Sequence, residues 1–191
     1  MRGENRQGRF NIDHERQSII SGTTKELVEL TGNMIDWWFF DEDNTVIDPI
    51  YDVGSNEVGG GRMWIGPLRL PTVNATIEQG VTIQSDRGFY NTDVLMLTLN
   101  MDIIKDSGSL LGANAATRPR LDRIETQPDH YLKDRVVYRG QVFSPRKVYP
   151  RGLITDKYTL ITIQCNQVNA EELVNDSQFQ TYANYDPLAQ I

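Results

Sequence analysis

The stretch TDVLMLTLNMDIIK, residues 92–105, places the tightest constraint on how this chain can fold. Leu95, Leu97, Leu99 and Met101 alternate with Met96, Thr98, Asn100 and Asp102, so a backbone of period two sends one set to each side. Wrapped on a helix, the same residues leave no clean apolar stripe. The segment reads as a long strand with one face to bury, and the rhythm recurs around it. In LPTVNATIEQGVTIQ, residues 70–84, Leu70, Val73, Ala75 and Ile77 alternate with an interruption at Pro71. Gly80 marks a bulge or bend before Val81 and Ile83. Residues 134–168 read as three strands, with Arg139-Gly140 as one tight hairpin turn and Pro150-Arg151-Gly152 as a second. In the last of these strands Ile161, Ile163 and Cys165 share a face, opposite Tyr158, Leu160 and Thr162. Cys165 is thereby assigned to the core as a small hydrophobe and not to reactive chemistry.

The flanking sequence is of another kind. Residues 1–22 are polar, with Phe10, Ile12, Ile19 and Ile20 as the apolar anchors of an extended arm. Thr23 and Glu26 have capping-box spacing, and Leu27, Leu30, Met34, Ile35 and Trp38 follow a helical face, which predicts a helix over 24–37. It runs into Trp37-Trp38-Phe39-Phe40, a run too broad for one stripe. Those aromatics either plug the chain's own core or meet a neighbouring subunit. Residues 41–68, with Gly54 and Gly59-Gly60-Gly61, read as a surface excursion. Residues 106–133 form a second, longer one, of a length that usually carries function. Asn169 and Glu172 again have capping-box spacing, predicting a short helical turn. The tail beyond it carries Phe179, Tyr182 and Tyr185, spaced as in an extended docking peptide. The expected fold is mainly β, a small barrel or sandwich of about five to six strands with one N-terminal helix, long loops and extended arms. Its parts are an arm over 1–22, a helix and Gly-rich loop over 23–68, a barrel over 69–168 with the 106–133 insertion, and a turn and tail over 169–191.

Charge narrows the function. The net charge of −7 disfavours a general polyanion-binding surface. It is unevenly spread: residues 23–60 hold nine acidic side chains and one basic, whereas 118–151 hold nine basic and four acidic. Such asymmetry suits copies that meet acidic face to basic face. The single cysteine allows no disulfide within one chain, and neither a signal peptide nor a membrane span of about 18 apolar residues is expected, which points to cytosolic folding.

The search for chemistry yields no candidate catalyst. His14 and His130 have no second ligand at zinc spacing. The glycines at 59–61 are followed by Arg62-Met63, where a phosphate loop needs Lys and Ser or Thr. Asp41-Glu42-Asp43 are adjacent in a loop, although a small acidic-cleft hydrolase using a divalent metal at Asp43 and Asp48 stands as an alternative. Arg118, Arg120, Arg123, Lys133, Arg135 and Arg139 could touch phosphate, but no aromatic platform or recognition helix accompanies them. No enzyme activity and no cofactor or metal are expected. An interaction role leads, with a monomeric β-barrel binding module as its plainest form.

The order of the pieces DPIYDVG, GGRMW, LRLPTVNATIEQG, DRGFYNTDVLMLTLNMDII, DHYLKDRVVYRGQVF, EELVND and QF, over residues 48–179, resembles the head-to-tail stopper proteins of long-tailed bacteriophages with actinobacterial hosts. Its most specific parts are Arg87-Gly88-Phe89-Tyr90, HYLKDRVVYRGQVF at 130–143 and EELVNDSQF at 171–179. The resemblance implies a small β-barrel that forms a homo-oligomeric ring at the virion's head–tail junction after assembly in the host cytoplasm, closes the DNA exit channel and docks the tail. About six copies are expected, with twelve as the alternative. Partners would be an adaptor or portal ring, a tail terminator or tail tube, and packaged double-stranded DNA held without sequence preference, with no membrane. Leu110, Leu111, Ala113-Asn114, Arg118, Arg120 and Arg123 become the candidate channel gate, and Trp37, Trp38, Phe179, Tyr182 and Tyr185 candidate subunit or partner contacts. A tail terminator or another connector ring is the alternative within the same particle.

Overall fold

Alternation in the sequence becomes one antiparallel sheet. The structure, a computed structural model, describes residues 22–45, 61–85, 88–104, 124, 128–154 and 157–183. Its strands are β1 (Met34–Phe40), β2 (Trp64–Pro71), β3 (Asn74–Ser85), β4 (Gly88–Asn100), β5 (Arg135–Tyr138), β6 (Gln141–Ile154) and β7 (Lys157–Gln167). They lie in the order β2-β1-β5-β6-β7-β4-β3, curled into a half-barrel. The mainly β expectation holds, with seven strands among the described residues where five or six were expected.

The register explains the curl. From Pro71 opposite Met34, the pairs Asp36–Val137, Val137–Val142, Phe143–Gln167, Val94–Asn166 and Asn74–Thr98 lead from one edge to the other. Along that path the ladder climbs by about eight residues, the kind of stagger that tilts strands about 40° and lets a sheet roll up. The edges then meet covalently. β2 and β3 are the outermost strands, yet only Thr72 and Val73 separate Pro71 from Asn74, a span of no more than about 11 Å. Thr72 is buried; its N–H and Oγ1 both donate to the Asn33 carbonyl, while Val73 N donates to Thr98 O. Pro71, which looked like a break in one strand, ends β2 at this seam.

Three local expectations are corrected. The helix α1 (Gly22–Thr31) stops at Gly32, whose φ of 59° is left-handed, and does not reach residue 37. The aromatic run is therefore β1, and its period of two sends Trp37 and Phe39 inward and Trp38 and Phe40 outward. β6 runs through Pro150-Arg151-Gly152 to Ile154, paired with β7 all the way, so no turn lies there. β4 ends at Asn100, whose Oδ1 accepts from the N–H of Asp102 and Ile103 and starts a helical turn over 101–104. Other expectations stand. Arg139 and Gly140, both at positive φ, make the two-residue β5–β6 turn, and Gly80 sits at a register shift in the β3–β4 ladder.

Two apolar clusters lie on opposite faces of the sheet. The larger, inside the curl, contains Leu95, Leu97, Leu99 and Met101 with Trp37, Phe143, Ile161, Ile163 and Cys165, where burial pushes the thiol's pKa up. The smaller, outside it, is the site described next.

Candidate functional site

The outer faces of β1, β2 and β5 carry aromatic and aliphatic side chains that an antiparallel sheet would otherwise show to water. Here the chain after β7 covers them. Val168, Leu173 and Phe179 pack with Trp64, Val137 and Val142, and Trp38, Phe40 and Tyr182 border the cluster. Leu173 belongs to α2 (Ala170–Asn175), and Phe179 lies just beyond. Phe179 is 0% exposed and sits edge-on to both Trp38 (5.3 Å between ring centroids) and Trp64 (5.1 Å). Gln178 fixes the same segment by its amide: Trp64 N donates to Oε1 at 2.7 Å, and Nε2 donates to Trp64 O at 2.9 Å. An exposed edge strand invites foreign pairing, and Gln178 occupies its first residue.

A charge cluster closes this clasp, with Arg135 and Asp176 buried and Arg62 and Glu172 partly exposed. Arg135 Nη2 donates to Glu172 Oε1 at 2.7 Å, Arg62 Nη1 donates to the same oxygen at 3.1 Å, and Asp176 lies 3.6 Å from Arg62 and 3.9 Å from Arg135. Arg135 also stacks over Trp64, 5.1 Å from the ring centroid. Burial lowers the Arg135 pKa and raises that of Asp176, and in each case the opposite charges in the cluster pull back. Glu172 was expected to cap its own helix; Asn169 makes no side-chain cap there, and Glu172 reaches the two arginines instead. Next door, Asp134 accepts from Trp37 Nε1 at 2.7 Å and from Phe40 N at 2.9 Å. Burial pushes its carboxyl up to about 7, against those two hydrogen bonds and the Arg135 charge.

The geometry relocates several predicted residues. Trp37 and Phe179 are wholly buried within the chain and have no surface to offer a neighbour, while Trp38 and Tyr182 are half-buried in the clasp. Tyr185 lies outside the described residues, as do Leu110, Leu111, Ala113, Asn114, Arg118, Arg120 and Arg123. The nearest described residues on either side of that segment, Ile104 and Ile124, are both buried in the inner cluster. Of the basic residues thought able to reach phosphate, Arg135 is held by the clasp carboxylates and Lys133 pairs with Glu42 at 3.2 Å. The clasp itself was not foreseen. One signal pointed to it: an arginine set between Asp134 and the apolar Val136-Val137, where a free charge would be costly.

No family model matches the chain, and no curated protein does. Among solved structures it is similar to a chain from the virion of a native gene transfer agent particle. That likeness has 13% sequence identity and a TM-score of 0.34, over 71% of this chain and 93% of the other.

Proposed function

We propose that this chain is a structural virion protein of a tailed, phage-like particle. In that reading it acts as a head-to-tail stopper, a ring of copies that closes the DNA exit channel after packaging and presents a docking surface to the tail. One observation carries the reading. Three pieces of the resemblance that lie far apart in sequence are those the fold draws together: Arg62 and Trp64 from GGRMW, Arg135 from the 130–143 block, and Glu172, Asp176 and Phe179 from EELVNDSQF.

The gate is assigned to the segment bearing Leu110, Leu111, Ala113, Asn114, Arg118, Arg120 and Arg123. Its two ends, Ile104 and Ile124, are rooted in the core, which suits a segment that must bear load from DNA without dragging on the sheet. The small residues Gly112, Ala113, Ala115 and Ala116 would let symmetry-related copies approach closely at an axis. The test is deletion within 110–120 in the parent particle. Rings should still assemble, and filled heads should lose their DNA. Heads that keep DNA after the deletion remove this segment as the gate, and finding the protein on free tails instead of on filled, tailless heads replaces the stopper with a tail terminator.

A further inference from the structure

Two surfaces on opposite sides of the curl remain unmatched among the described residues. The first is α1. Val28 is its buried contact, whereas Leu30 is 83% exposed and Leu27, one turn earlier on the helix, is 42% exposed. Met34, at the start of β1, adds a third exposed apolar side chain. Glu26 and Glu29 flank them and are also exposed. The helix lies at the seam between β2 and β3, because Thr31 Oγ1 donates to the Thr72 carbonyl. The second surface is the outer face of β6. Val148 packs inward against the core, which turns Lys147, Tyr149 and Arg151 outward, and all three are exposed.

Their placement follows from strand order. β6 is three strands from β2 in one direction and three from β3 in the other, so in a curled sheet whose two outer strands are tied through Thr72 and Val73 it lies across from that tie. One side of each copy is thus apolar with acidic flanks, and the far side is aromatic with basic flanks. No ion pair between described residues uses Glu26, Glu29, Lys147 or Arg151, whereas other members of the acidic and basic tracts, Glu42 with Lys133, neutralise each other inside the chain. A self-complementary dimer would set like against like on each of these surfaces. A head-to-tail contact sets each against its complement and leaves both free at the ends of any open row, which closes into a ring where the rotation from copy to copy allows and otherwise runs on as a filament.

We infer that the α1 surface of one copy, Leu27, Leu30 and Met34 between Glu26 and Glu29, docks on the Lys147-Tyr149-Arg151 face of β6 in the next copy. The partner is a second copy of this chain. This inference rests on the ring reading above and supplies its joint.

The test uses the full chain and two charge-reversed variants, Glu26→Lys/Glu29→Lys and Lys147→Glu/Arg151→Glu, each checked for an unchanged circular dichroism spectrum. Assembly is followed by light scattering and electron microscopy across protein concentration. Each variant alone should assemble at least tenfold more weakly than the unmodified chain, because every joint then brings like charges together. An equimolar mixture of the two should recover assembly to within about threefold, since alternating copies restore opposite charges at every joint. Leu30→Ser should weaken assembly without being rescued by either charge variant. If the unmodified chain assembles and the two charge variants do so equally well, this joint is wrong while the ring stands. If the unmodified chain stays a single copy at every concentration and on the particle, ring and joint fall together.

Discussion

Removing the Phe179 ring tests whether the clasp is a separable unit of stability. The side chain is fully buried, and an aromatic ring of its size hides on the order of 150–200 Å², worth about 4–5 kcal/mol at the usual coefficient. Two edge-on contacts with Trp38 and Trp64 contribute about 0.5–1.5 kcal/mol each within the same range of truncation costs, so Phe179→Ala should cost about 4 kcal/mol. Ordering residues 169–183 against the sheet already consumes about 1–2 kcal/mol of backbone entropy per residue, which leaves the clasp a small net stability. A loss of that size, about a thousandfold in population, should release it while the inner core, which Phe179 does not touch, stays folded.

Tryptophan emission reads this out directly. Trp38 and Trp64 lie at the clasp and Trp37 in the inner core, so in buffer the variant should show red-shifted emission and quenching by iodide at about two of its three tryptophans, with its strand signal in far-ultraviolet circular dichroism intact. Phe179→Leu, which keeps most of the apolar volume, should behave nearly as the unmodified chain. Unshifted emission together with an unfolding free energy within about 1 kcal/mol of the original would refute the reasoning, since no well-packed buried phenylalanine is that cheap to truncate.

Two further outcomes follow from the charges. Arg135→Met leaves Glu172 and buried Asp176 facing each other with only Arg62 between them, and should cost about 3–5 kcal/mol in urea unfolding. Adding Asp176→Asn should return part of that, and a double-mutant cycle that closes with no coupling would show that the two do not interact. Asp134 gives a pH signature. Its folded pKa of about 7 lies above the unfolded value, so the stability it contributes is complete below about pH 4 and is lost as pH rises through about 7. Urea midpoints of the unmodified chain should fall across that window relative to those of Asp134→Asn; parallel curves would show that the carboxyl titrates normally.

What could be read in the sequence was what is local. The ladder of Leu95, Leu97 and Leu99, the Gly80 bulge, the Arg139-Gly140 turn and the burial of Cys165 each depend on residues within a few positions of one another, and alternation or turn chemistry states them directly. The aromatic run misled for a related reason. Leu27, Leu30 and Met34 continue a helical spacing across Gly32, and only the left-handed backbone at that glycine separates a surface helix from a core strand.

The clasp was out of reach because its pairings are global. Arg62 and Glu172 are 110 residues apart, and whether an arginine near a Gly-rich stretch meets a carboxylate near the C-terminus depends on the register of every strand between them. The stagger of about eight residues that curls this sheet is likewise a property of six strand pairings taken together, visible in none of them. The consequence bears on assembly. Thr72 and Val73 tie β2 to β3 at one end only, and each of these outer strands keeps an edge that no described strand pairs. The joint proposed above uses neither edge: it rests on side chains of α1 and of the outer face of β6, which lie outside the clasp over β1, β2 and β5.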